Sequence, residues 1–251
     1  MSNTDSLKQR IHDGKVVVAL RVPIETPGEA LEAALGRGTY DLIYIDGQHM
    51  PWSEERLVAF CDTAEALGFP VQMRIPHTRN AYLVGRYLDM GLGGILVPEV
   101  VEEATVDEAI AFAYYPQFGN RSVGGPARYG LRGRTTMGGR PVTPGRAEYA
   151  AWWNEQVVLA IQLESVEAID NARRLAKPGI DYVAFGPNDL MFSLEGHPHY
   201  PLRTVDDCMR NVAEQLQGTG VRLGMAVMTE PGERGKYLDM GITIFQEAPR
   251  Q

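Results

Sequence analysis

Glu164 and Asp189 each follow a short apolar, β-branched run, in IQLES and FGPNDL. A carboxylate at the carboxyl end of a buried strand faces the mouth of a barrel or sheet, and two from consecutive strands supply hard oxygen ligands for a divalent cation. An octahedral Mg²⁺ or Mn²⁺ held by two carboxylates keeps about four positions for waters and substrate oxygens. The competing reading makes Asp189 a helix cap and Glu164 a salt-bridged acid. Other strand ends add Asp46 and His49 in IDGQHMP, Arg74 in MRIP, Glu99 in LVPEV and Gln162 beside Glu164, with the tight turn Gly186-Pro187-Asn188 after them. An imidazole at His49 can pass a proton at neutral pH. Arg74 is a permanently charged donor fork suited to a developing oxyanion, or to neutralising the carboxylates. No HExxH motif occurs, which argues against the usual zinc hydrolases.

Positioning these residues requires many strands. VVVALRV, DLIYID, PVQMRIP, GGILVPEV, VVLAIQLE, DYVAFGP, VRLGMAVM and ITIFQEA are nearly continuous apolar runs, as parallel strands buried on both faces require. Segments of helical spacing lie between them, several opening on Ser, Thr or Glu and closing on Gly. Eight strands alternating with helices predict an α/β (β/α)8 TIM barrel in a single domain, residues 1–251, with the site at the carboxyl ends of the strands. A doubly wound sheet is the alternative, but no glycine-rich nucleotide loop follows the first run. Tyr87-Leu-Asp-Met-Gly91 recurs as Tyr237-Leu-Asp-Met-Gly241, either a half-unit repeat or two helices with similar ends. Residues 117–154 read as one long irregular arm carrying Arg121, Arg128, Arg132, Arg134, Arg140 and Arg146, long enough to be functional or an interface.

Composition narrows the function classes. The chain has 251 residues, 44% hydrophobic and 22% charged, with a formal net charge of −8, so phosphate backbones are repelled and no nucleic-acid partner is expected. Cys61 and Cys208 fall in helical segments and read as structural thiols of a reducing compartment. The polar start MSNTDSLKQRIHDG suits neither a signal peptide nor a membrane span, so a cytoplasmic protein without membrane contact is expected. Lys8, Lys15, Lys177 and Lys236 all stand away from the strand ends. That placement excludes Schiff-base chemistry and leaves a metal as the electron sink for any carbanion.

IDGQHMP, MRIP, YLDMG leading into ILVPEV, YYPQFGNRSVGG, IQLES and FGPNDL occur in an order and spacing that resembles the HpcH/HpaI family of metal-dependent, pyruvate-type aldolases, from Gly14 to Glu247. The resemblance implies metal ligation by Glu164 and Asp189, with Mg²⁺, Mn²⁺ or Co²⁺ as cofactor. It implies Gln162 near substrate and metal water, Arg74 on the substrate keto oxygen, and His49 with Asp89 as a proton-transfer dyad. Backbone from Gly186 through Pro187 to Asn188 would cradle the 2-oxo acid carboxylate. The implied reaction is reversible cleavage of a 4-hydroxy-2-oxo acid to pyruvate, or a relative such as hydroxypyruvate, plus an aldehyde. Family members commonly carry Glu at Gln48, Ala at Asn188 and an apolar residue at Glu99, departures that bear on substrate choice.

Two other functions fit the same pattern. One is a CoA-thioester lyase of the citramalyl/malyl-CoA type; the other is a non-catalytic barrel that binds a 2-oxo acid or metal. After ITIFQEA only Pro249, Arg250 and Gln251 remain, which predicts a groove beside the last strand. The 117–154 arm or the N-terminal helix is expected to fill it, in a symmetric, dimer-based homo-oligomer, a hexamer in full.

Overall fold

The structure, a computed structural model, describes residues 6–123, 136–137, 140–141 and 145–250. Arg128, Arg132 and Arg134 of the expected arm lie outside the described residues. In chain order the elements are α1 (Leu7–His12), β1 (Val17–Arg21), α2 (Gly28–Leu35), β2 (Leu42–Asp46), α3 (Glu54–Ala66) and β3 (Val71–Arg74). A 3-10 turn (Thr78–Leu83) leads into α4 (Val84–Asp89), then β4 (Gly94–Val97), α5 (Glu103–Ala113), β5 (Thr136–Met137), β6 (Arg140–Pro141) and α6 (Arg146–Gln156). The rest is β7 (Val158–Leu163), α7 (Val166–Leu175), β8 (Tyr182–Phe185), α8 (Pro187–Gly196), α9 (Val205–Gln215), β9 (Arg222–Met228), α10 (Arg234–Leu238) and β10 (Ile242–Glu247).

All eight expected runs form strands of one closed parallel barrel, ordered β1-β10-β9-β8-β7-β4-β3-β2. Closure is direct, because β1 pairs with β2 (Ala19 with Leu42) and with β10 (Val17 with Ile244). An open doubly wound sheet is thereby ruled out. Strand periodicity sorts the apolar side chains into two layers. Val17, Ala19, Leu42, Tyr44, Leu96, Val158, Ala160, Tyr182 and Ala184 fill the barrel interior with Ile11. Their neighbours Val18, Leu20, Ile43, Ile45, Leu159, Ile161 and Val183 pack outward against the helices. The same alternation, carried to the strand ends, turns Arg21, Asp46, Arg74, Gln162 and Glu164 into the barrel above its apolar layers.

Several helices begin on side-chain caps that satisfy otherwise orphaned N–H groups. Ser53 accepts from Arg56 N, Ser165 from Ala168 N, and Thr204 and Asp207 cap one another's backbone at the start of α9. The YLDMG echo proves to be two helix ends. Gly91 (φ 115°) and Gly241 (φ 81°) turn the chain from α4 and α10 into β4 and β10, a backbone region that glycine enters without strain. Cys61 and Cys208 are buried in α3 and α9, neither in a disulfide.

Two expectations need correction. The N-terminal helix does not cover the last strand; α1 lies across the barrel floor. Its Lys8 ammonium donates to Tyr114 Oη (2.8 Å), the Val157 carbonyl (2.9 Å) and Asp181 (3.0 Å). Asp181, buried at the start of β8, needs that cation, and Ile11 plugs the apolar floor. The arm is not irregular throughout: α6 buries Tyr149, Trp152 and Trp153. The Arg121 guanidinium stacks on Trp153 (4.4 Å) and Tyr115 (4.9 Å), so aromatic packing anchors this segment. After FGPNDL the chain forms α8, started by Pro187 in its first turn. Its Met191 and Phe192 are exposed, so no apolar stripe announces it.

Candidate active site

The mouth of the barrel is organised by a chain of buried polar groups. Arg21 Nη2 donates to Asp46 at 3.0 Å, and Arg74 grips the same carboxylate through Nε (2.9 Å) and Nη2. Burial alone would push the Asp46 carboxyl up, but the Arg74 guanidinium more than offsets it and holds the group below its ordinary value. The free edge of Arg74 reaches Gln162 Oε1 at 3.4 Å, and Gln162 Nε2 donates to Glu164 Oε2 at 2.5 Å. Glu164 Oε1 accepts the Glu99 backbone N–H at 2.7 Å. Gly186 is required beside this relay: a Cβ there would stand 2.5 Å from Gln162 Nε2 and 2.6 Å from Glu164 Oε2.

Glu164 and Asp189 line one cavity of about 250 Å³ together with Gln48, His49 and Glu99. Glu164 is 8% exposed, whereas Asp189 is exposed in the first turn of α8. Burial pushes the Glu164 carboxyl up to about 7, opposed by the Glu99 N–H and reinforced by the negative charge of Asp189. A buried carboxylate whose ionisation a second carboxylate on the same cavity opposes fits a divalent cation, whose charge removes that cost. Among the described residues no group of three or more His, Cys, Asp or Glu gathers as a metal cage, so a cation here would complete its shell with waters and substrate oxygens.

The displaced titration has a sign. Between the ordinary value of 4.5 and about 7 the metal-free fold keeps a Glu164 proton that the unfolded chain has lost. The associated stability, about 3 kcal/mol, is fully present below the ordinary value and is lost as pH rises through the folded one. A cation must displace that proton. Mn²⁺ affinity is therefore expected to fall about tenfold per pH unit below neutrality, as titration calorimetry from pH 5 to 8 would read. A flat profile would place the ligand elsewhere.

The remaining sequence-predicted residues divide clearly. His49 is exposed on the cavity wall, after β2, with no hydrogen bond described for it. Gly186, Pro187 and Asn188 stand at the start of α8, but the Gly186 N–H is already donated to the Leu163 carbonyl at 3.1 Å. Pro187 has none, so the donors left to an anion are the first-turn amides of Asn188 and Asp189. Asp89 is not brought to His49 within the chain. It ends α4 at the opening of β4, the opposite end of the barrel from the mouth, and Arg121 holds its carboxylate at 2.5 Å. The lysines stay in ion pairs outside the mouth: Lys8 with Asp181, Lys177 with Asp107, Lys236 with Asp206 and Lys15 with Asp13.

Sequence reasoning placed Asp46 at a strand end without a role and did not single out Arg21. Period-two alternation along β1 and β2 was the available signal. Strand-end position marks Glu99 in the sequence, but not its backbone: a φ of 54° is left-handed and aims its N–H at Glu164.

A closed parallel barrel with an acid-lined cavity at the carboxyl ends of its strands defines a barrel enzyme of the metal-assisted kind. Residues 27–248 match the family model described as HpcH/HpaI aldolase/citrate lyase, and the chain belongs to that family. It is thus a carbon–carbon lyase of a divalent-metal-dependent aldolase group acting on small molecules. It is similar to a 5-keto-4-deoxy-D-glucarate aldolase of Shigella sonnei (strain Ss046), 29% identical over 233 residues, covering 90% of this chain and 81% of that one. Its fold matches the HpcH/HpaI aldolase of Desulfitobacterium hafniense DCB-2 with a TM-score of 0.79, at 24% identity over 97% of this chain and 90% of that one. Macrophomate synthase shares the fold with a TM-score of 0.76, at 21% identity over 97% of this chain and 83% of that one. Among the described residues no helix is long and apolar enough to cross a membrane.

Proposed function

We propose that this chain reversibly cleaves a 4-hydroxy-2-oxo acid to pyruvate, or a relative such as hydroxypyruvate, and an aldehyde, with Mg²⁺, Mn²⁺ or Co²⁺ held by Glu164 and Asp189. The observation that carries the reading is the buried Glu164, opposed to Asp189 across the cavity and tied through Gln162 to Arg74. A divalent cation there would supply positive charge for the oxygen that becomes the enolate. The Asn188 and Asp189 amides at the start of α8 would hold the substrate carboxylate. His49 would take the proton from the 4-hydroxyl. The C3–C4 bond then breaks, the aldehyde leaves, and the bonding pair remains as an enolate that is reprotonated at C3. Arg74, one edge committed to Asp46, adds fixed positive charge behind Gln162 for the enolate oxygen.

A screen of aldehydes against pyruvate and hydroxypyruvate, with and without Mn²⁺, tests the reaction class. Carbon–carbon bond formation only with metal is expected; retention of a CoA thioester in preference to free acids would overturn it. His49→Ala should slow cleavage at least about a hundredfold more than exchange of pyruvate methyl protons with D₂O, because only cleavage uses the aldehyde-side proton. Equal losses would remove His49 from that role.

The chain also carries exposed apolar side chains near the mouth, Phe192 (66% exposed), Met191 and Met228 among them, as a subunit contact would require. A symmetric, dimer-based homo-oligomer, hexameric in full, is the assembly this supports. Light scattering at micromolar concentration should find no stable 27.7 kDa monomer.

A further inference from the structure

We propose that Glu99 selects the aldehyde half of the reaction, admitting neutral, hydroxyl-bearing aldehydes and turning away those that carry a second negative charge. The inference rests on the aldolase reading above and deepens it. Glu99 reaches the cavity by an uncommon route. It follows β4 in the left-handed region (φ 54°), which strains a residue with a Cβ and persists only where the surroundings demand it. That conformation commits its backbone N–H to Glu164 Oε1 at 2.7 Å and leaves its own side chain half-exposed on the cavity wall.

The partners of that side chain are an amide and an imidazole. Gln48 Nε2 donates to Oε1 at 3.1 Å. His77 Nδ1 accepts the Arg79 N–H at 3.0 Å, which leaves the neutral ring's proton on Nε2, 3.4 Å from Glu99 Oε2. Neither contact requires a countercharge, and among the described residues no Lys or Arg lines the cavity. Charge then decides. A divalent cation balances Glu164 and Asp189, so a 2-oxo acid brings one negative charge into a pocket where Glu99 still holds another. A carboxylate on the aldehyde portion would be a third, in a partly enclosed site where like charges repel strongly. A hydroxyl on the same portion gains instead, since the Glu99 carboxylate accepts its hydrogen bond and Gln48 can donate to its oxygen. Gln48 and Glu99 thus form one recognition unit, and rejection of the anion is achieved by a like charge that no Lys or Arg among the described lining residues balances.

The test compares pyruvate addition to glycolaldehyde and to glyoxylate, two small aldehydes differing in the carboxylate, with Mn²⁺ in the wild-type protein and in Glu99→Gln. The substitution keeps the shape, the chain length and the backbone N–H. Wild type should favour glycolaldehyde in kcat/KM by at least about tenfold, and the ratio should move about tenfold toward glyoxylate in Glu99→Gln. The shift should shrink as ionic strength is raised, which a purely steric role would not produce. A wild-type preference for glyoxylate, or the same ratio in both proteins, overturns the proposal. Exchange of pyruvate methyl protons in D₂O by the wild type separates this failure from a deeper one. Exchange with an unmoved ratio sinks only the role of Glu99, whereas no exchange sinks the aldolase reading and this proposal with it.

Discussion

Glu164→Gln and Asp189→Asn are each expected to lower metal-dependent turnover by about a thousandfold or more, since the cation supplies several kcal/mol of charge stabilisation to the reaction. Mn²⁺ binding, followed by calorimetry or electron paramagnetic resonance, should weaken in parallel. The two substitutions should differ in stability, because Glu164 is buried and Asp189 is exposed. Above neutral pH the metal-free Glu164→Gln protein should melt higher than wild type, since it removes a carboxylate whose ionisation burial opposes. Asp189→Asn should change the melting temperature far less. Chelator treatment should abolish wild-type turnover, and Mg²⁺, Mn²⁺ or Co²⁺ should restore it. Full turnover in chelator-treated protein would remove the metal from the mechanism.

Arg74→Ala should damage both fold and chemistry. The guanidinium binds Asp46 through two nitrogens in the buried upper layer, and its loss leaves that carboxylate with Arg21 alone, 3.0 Å away. Breaking a buried pair costs about 3–5 kcal/mol, and the remaining Arg21 contact sets the expectation near the lower end. Urea unfolding would read it. Turnover should fall a further hundredfold or more, as for loss of an oxyanion donor. Cleavage and methyl-proton exchange should fall together, because the enolate appears in both. Arg74→Lys should restore little, since an ammonium cannot span both Asp46 oxygens and also reach Gln162. Wild-type stability and turnover in Arg74→Ala would refute the relay.

Much of this was legible along the chain because the signals are local. Apolar runs buried on both faces mark β1 to β4 and β7 to β10, and helical spacing marks most of the helices between them. Strand-end position alone was enough to single out His49, Arg74, Gln162, Glu164 and Asp189. Residues after a strand stay at its end however the outer helices pack, so their arrival at one mouth follows from topology. Three of those five, His49, Glu164 and Asp189, line the same cavity; Gln162 donates to Glu164, and Arg74 reaches it through Gln162.

Other features depended on contacts between distant segments. Whether α1 covers the side of the barrel or its floor depends on Asp181 needing Lys8, a pairing across most of the chain. Asp89 shares a motif with helix ends, but α4 runs back toward the start of β4, and that direction delivers it to Arg121 rather than to His49. Glu99 stands at a strand end in the sequence, but its left-handed backbone and the contact of its N–H with Glu164 join β4 to β7, segments far apart in the chain. The sequence by itself therefore determined the barrel and the chemical types at its mouth, because both follow from short-range periodicity. Tertiary structure decided which carboxylate is paired, which stands near neutrality in its titration and which is left facing the cavity, because burial and charge pairing are set by neighbours far away in the chain.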